Sequence, residues 1–108
     1  MLEPILGNNV IERILFYLVV YESGYIREIS NIFNIPVRGV TQQLKRLEDG
    51  GVISSQKRGK IRIYTFNPSY AFLDELKQLL QKALDVLPKQ EIDRYYSTRT
   101  RPRRKGKP

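Results

Sequence analysis

Read as apolar against polar positions, the chain switches between helical and alternating periods, with turn residues at each change. After Gly7 the pair Asn8-Asn9 supplies a helix N-cap, and Val10, Ile11, Ile14, Leu15 and Leu18 recur at helical spacing as far as Gly24, which suits a C-cap. Phe16, Tyr17, Val20 and Tyr21 lie off that stripe, so this first helix is apolar on more than one side, and a second contact surface is the expected use of the extra side. Tyr25-Ile26 reads as a very short strand, after which Arg27 to Phe33 sets Ile29, Ile32 and Phe33 on one face of a short second helix. Asn34-Ile35-Pro36 interrupts it. Proline lacks a backbone donor and pushes its predecessor away from helical angles, yet is well tolerated at a helix start, so Pro36 closes one helix and opens the next. The third helix is predicted over Val37–Asp49, with Val40, Leu44 and Leu47 on its inner face, and Gly50-Gly51 ends it.

Beyond the glycines the period becomes alternating. Val52–Lys57 and Ile61–Phe66 read as two strands of a hairpin joined across Arg58-Gly59-Lys60. Asn67-Pro68-Ser69 punctuates the chain, and a last helix is predicted from Tyr70 to Leu87, ended by Pro88. In it Leu73, Leu76, Leu80, Ala83 and Leu87 follow spacings of three and four, with Phe72, Leu79 and Val86 seven apart beside them. Such a strip resembles a coiled-coil seam. With the extra side of the first helix it predicts a homodimer through Phe16, Val20, Phe72, Leu73, Leu76, Leu80, Ala83 and Leu87. Packing of this helix on its own domain is the competing use, because fewer than three heptads are available. Residues 88–108 carry few apolar positions and three prolines, Pro88, Pro102 and Pro108, and are predicted to form a mobile tail behind a single domain at 1–87.

Composition removes whole classes of chemistry. The 108 residues, 41% hydrophobic, build one modest core and no second one. The longest apolar run, Ile14 to Tyr21, is eight residues, far short of the roughly 18 of a membrane span. Met1-Leu2-Glu3-Pro4 carries no basic segment followed by an apolar one, so no secretion signal is visible, and the expected location is the cytoplasm, in association with the nucleoid. There is no cysteine and no histidine, which excludes disulfides, thiolate zinc sites and cysteine nucleophiles and removes the usual general base. The eleven acidic residues are scattered without a recognisable acid/base pair, and no glycine-rich phosphate loop is present, so neither an enzyme, a cofactor nor a metal site is expected. The net charge of +8 is concentrated at one end: residues 1–93 hold 12 Lys/Arg against 11 Asp/Glu, whereas residues 94–108 hold seven basic residues and no acid. A basic arm on a near-neutral body points to a polyanionic partner.

The order helix, short helix, proline turn, helix, basic hairpin, helix is the specific signal. The segment Ile26-Arg27-Glu28-Ile29-Ser30 through Ile35-Pro36-Val37-Arg38-Gly39-Val40-Thr41-Gln42-Gln43-Leu44-Lys45-Arg46-Leu47-Glu48-Asp49-Gly50-Gly51-Val52-Ile53 resembles the helix-turn-helix of bacterial and archaeal winged-helix regulators of the ArsR and MarR type. The ending Ile63-Tyr64-Thr65-Phe66-Asn67-Pro68 is similar to the close of an ArsR-type wing, and the resemblance covers roughly residues 8–87. It implies a mainly helical (α+β) winged helix-turn-helix domain acting as a transcription regulator on double-stranded DNA, in which the early positions of the third helix, here Val37, Arg38, Thr41 and Gln42, meet base edges. Metal-sensing members use cysteine or histidine ligands, so that mode of control does not fit this chain.

The residue types agree with that use. With Val40, Leu44 and Leu47 inside, Arg38, Thr41, Gln42, Lys45 and Arg46 fall on the flanks and outer face. Arg38 and Gln42 lie one turn apart and suit guanine and adenine edges respectively, while Thr41, Lys45 and Arg46 suit phosphates or water-bridged contacts. Gly39 departs from the pattern: it weakens a helix interior by up to about 1 kcal/mol, and close backbone approach to DNA is the expected compensation. The hairpin adds Lys57, Arg58, Lys60 and Arg62 within six residues and no acid, a wing that can follow a phosphate strand or enter the minor groove. In the tail, Arg101, Arg103, Arg104 and Lys105 sit among prolines in a stretch similar to an AT-hook but without its Arg-Gly-Arg-Pro core, and are read as a non-specific clamp. Two other readings stay open: a nucleoid or RNA-binding protein dominated by the tail, and a protein-interaction adaptor.

Overall fold

One helix forms the axis of the domain and nearly everything else is wrapped around it. A computed structural model describes residues 1–97, as α1 (Glu3–Leu6), α2 (Asn9–Tyr21), α3 (Ile26–Phe33), α4 (Val37–Asp49), β1 (Ile53–Arg58), β2 (Ile61–Phe66), α5 (Leu73–Val86) and α6 (Lys89–Tyr95). Asn8 caps α2 as its sequence suggests, its Oδ1 accepting the Ile11 N–H at 2.8 Å. Apolar residues on every side of α2 are buried, namely Ile11, Ile14, Leu15, Phe16, Tyr17, Leu18 and Tyr21, while Val10, Val19 and Val20 are half-buried.

The cover for the extra side of α2 comes from its own chain. Helices α1, α3, α4 and α5 all pack against α2. The remaining gap is closed by residues after Pro88, which the sequence reading assigned to a mobile tail. They form α6 instead, and Tyr96 at its end is buried edge-on against Phe16, with ring centroids 5.7 Å apart. Tyr95 and Tyr96 continue the cluster onto Phe33, at 5.0 and 5.8 Å, and the Arg13 guanidinium lies over the Phe33 and Tyr95 rings. The Tyr21 hydroxyl donates to the Tyr95 and Ser97 carbonyls at 2.9 and 3.0 Å. The described structure therefore continues ten residues beyond the predicted boundary at Leu87.

Two other expectations shift. Gly24 is not the C-cap of α2: Glu22 takes that position in the left-handed region, φ 71°. Gly24 instead pairs with Tyr64, donating to its carbonyl at 3.1 Å and accepting from its N–H at 2.8 Å, and a Cβ there would come within 2.6 Å of the Tyr17 ring. The short strand expected at Tyr25-Ile26 is this single bridge, one residue earlier, because Tyr25 already stands at the N-terminal boundary of α3. The hairpin β1–β2 is antiparallel, with Ile53 opposite Phe66 and Arg58 opposite Ile61. Gly59 opens its two-residue loop with φ 61°, a conformation glycine adopts without steric cost.

Candidate nucleic-acid interface

Helix α4 is held from behind and left bare in front. Val40, Leu44 and Leu47 are buried toward α2 and α3, while Arg38, Thr41, Gln42, Lys45 and Arg46 are exposed and Val37 is 44% exposed. The preceding turn is fixed by Asn34 in the left-handed region, φ 55°, and by Ser30, whose hydroxyl donates to the Ile35 carbonyl at 2.5 Å while its own carbonyl accepts from the Ile35 N–H at 3.0 Å. Asn8 fixes the flank by donating from Nδ2 to Gln43 Oε1 at 3.2 Å. Both ties were missed in the sequence, where a polar residue on a helix flank gives no sign of its partner. On the outer face the Thr41 hydroxyl donates back to the Val37 carbonyl at 2.8 Å, and Lys45 pairs with Asp49 at 3.0 Å. Both members of that pair are largely exposed, so it contributes little to stability and does not fix the Lys45 ammonium in place.

The hairpin tip projects from the body, with every residue from Gln56 to Arg62 exposed. Among the described residues Arg58 makes a long contact, 3.3 Å, to Gln56 Oε1. Arg62 does more than carry charge. Its Nη1 donates to the Ser55 hydroxyl at 3.0 Å, and that hydroxyl donates to Glu48 Oε2 at 2.7 Å, so a relay joins β2, β1 and the last turn of α4. Burial pushes the neighbouring Tyr64 phenol above its ordinary range, with the Glu48 charge adding to the effect and Arg62 opposing it.

The start of α4 and the wing meet in one groove of about 380 Å³, lined by Val37, Lys60, Ile61 and Arg62 together with Tyr25 and Arg27. Arg27 had no signal in the sequence, being one cation at the start of an amphipathic helix. Arg101, Arg103, Arg104 and Lys105 lie outside the described residues.

For the expected self-association the structure corrects the residue set. Phe16, Leu80 and Ala83 are buried in their own chain and have no surface left for a second copy. Val20, Leu73, Leu76 and Leu87 are half-buried against the same core. The apolar side chains that α5 and its N-terminal boundary leave outside are Phe72, Leu79 and Val86, exposed by 63%, 36% and 60%.

No family model matches the chain, and no curated protein matches it. Solved structures do. The chain is similar to reduced HlyU from Vibrio cholerae N16961, with a TM-score of 0.61 at 17% identity over 72% of this chain and 79% of that one. It is also similar to a mutant of Lactococcus lactis ZitR in apo form, with a TM-score of 0.54 at 16% identity over 83% of this chain and 70% of that one. The fold is thus a mainly helical winged helix-turn-helix with a two-stranded wing. Among the described residues no helix is long and apolar enough to cross a membrane, and no group of three or more acidic, cysteine or histidine side chains is placed to hold a metal ion.

Proposed function

We propose that the protein is a sequence-specific, double-stranded DNA-binding regulator of transcription, working as a homodimer in the cytoplasm on the nucleoid. Helix α4 lies in the major groove, a space about 12 Å wide that admits one helix with its side chains. Arg38 and Gln42 read base edges with Val37 and Thr41 beside them, and Lys45 and Arg46 hold phosphates. The wing residues Lys57, Arg58, Lys60 and Arg62 follow the backbone or enter the minor groove, and Arg101, Arg103, Arg104 and Lys105 clamp the duplex without regard to sequence. The observation that carries this reading is the pairing of a helix backed by the core, polar and exposed on its outer face, with a projecting hairpin whose charged residues are all cations. Phe72, Leu79 and Val86 are the residues proposed to meet a second copy, which would set two α4 helices roughly 34 Å apart on an inverted repeat.

Selection from random duplexes tests the proposal, using the full chain, a form lacking residues 98–108, and the double variant Arg38→Glu, Gln42→Glu, with RNA as competitor. Recovery of one palindromic motif by the first two forms and its loss in the third is the expected result. Sequence-blind binding that disappears with residues 98–108, or discrimination that survives the double charge insertion, overturns it.

A further inference from the structure

The groove between the start of α3, the start of α4 and β2 joins residues of the recognition helix and the wing to a cation, Arg27, that belongs to neither. Arg27, Lys60 and Arg62 line it together with Val37 and Ile61, which are 44% and 42% exposed, and no acidic residue is among its lining. A surface that sets cationic and aliphatic side chains side by side suits a ligand of alternating anionic and hydrocarbon character. The sugar-phosphate backbone of DNA has that alternation.

The sheet edge adds a main-chain donor. Tyr64 turns both its N–H and its C=O toward Gly24. In an antiparallel ladder successive residues turn these groups to opposite sides, so Arg62, two residues back, turns its own to the same side as Tyr64, where the single bridge to Gly24 has already ended.

We propose that this groove seats one phosphate of the DNA strand bordering the major groove, with Arg27 as its principal charge, Lys60 and the Arg62 main chain across from it, and Val37 and Ile61 against the adjoining deoxyribose. The inference rests on the DNA-binding reading and deepens it. The contact is blind to sequence, and its role is to set how far α4 slides along the groove before the wing meets the backbone. Arg27 is exposed and the helix that carries it is anchored by Ile29 and Phe33, so its substitution spares the core.

The experiment compares the wild-type chain with Arg27→Ala and Arg27→Lys on the selected duplex and on a scrambled one, with salt titrations, a thermal melt and phosphate-ethylation interference. Arg27→Ala is expected to weaken both duplexes by the same factor, roughly tenfold as for one charge-assisted hydrogen bond, with an unaltered melt. The logarithmic salt slope falls by about 0.9, interference at one phosphate per half-site vanishes, and Arg27→Lys recovers most of the loss. Unchanged affinity and interference in Arg27→Ala overturn the seat while leaving the DNA-binding reading standing. A loss confined to the selected duplex overturns it as well, because Arg27 would then read a base. A wild-type chain that binds no duplex at all brings down both.

Discussion

Helices α2 and α4 have the same length, thirteen residues, and pack against one another, yet α2 buries eight of its residues and α4 only three. The eight on α2 cover its whole circumference and include one charged group, Glu12, whose carboxylate accepts the Leu2 N–H at 2.9 Å. The three on α4 form a single strip. A helix needs only that strip to be positioned, and the surface it does not spend on the core is what it has to offer a partner. Stability and, in the proposed function, recognition are therefore assigned to different helices.

Substitutions on each helix sharpen or break this division. The largest expected effect is on the inner helix: Ile14→Ala, at a fully buried position, destabilises the fold by about 2–5 kcal/mol in chemical denaturation, and whatever molecules remain folded bind duplex as before. A change of binding without a change of stability would deny the division. Next is the wing. Arg58→Ala with Lys60→Ala leaves the melt in place and flattens the logarithmic salt slope by about 2, and an unaltered slope removes the hairpin from the interface. The smallest effect is on α4 itself. A Cβ at Gly39 would meet only Ile35 Cγ2, at an ordinary 3.4 Å, so packing within the chain does not require glycine there. Gly39→Ala is expected to stabilise the domain by up to about 1 kcal/mol while weakening duplex binding, as measured by melts and by affinity on the selected motif. A variant that gains stability and keeps full affinity would show that no DNA backbone approaches position 39.

Much of the architecture is written in periodicity. The bounds of α4, the turn at Asn34 to Pro36 and the strand Ile61–Phe66 follow from apolar spacing and turn residues alone. What periodicity does not carry is the identity of the cover. Phe16 and Val20 lie off the main stripe of α2, and that pattern is the same whether a second molecule or a distant part of the same chain lies over them. The structure gives Phe16 to Tyr96, eighty positions away, and no local pattern encodes that contact. Helix α6 was hidden for a related reason: Ile92, Tyr95 and Tyr96 are too few apolar residues to announce a helix until the cluster with Phe33 and Arg13 forms. For the candidate site, side-chain type pointed to Arg38 and Gln42, but the assembly of Arg27 with Val37 and Lys60 depends on how β2 meets the start of α3, where the Gly24–Tyr64 bridge joins the two.

That bridge and the Glu48–Ser55–Arg62 relay tie the hairpin to the helical body at two separate places. A probe with its two prongs already locked at a set spacing loses little further freedom when it meets its target, and the ordering that remains is confined to long side chains at the tips. On the proposed DNA-binding reading, such a probe would measure the shape of what it touches: a duplex whose grooves are too wide or too narrow would itself have to deform, and the energy of that deformation would become part of the selection.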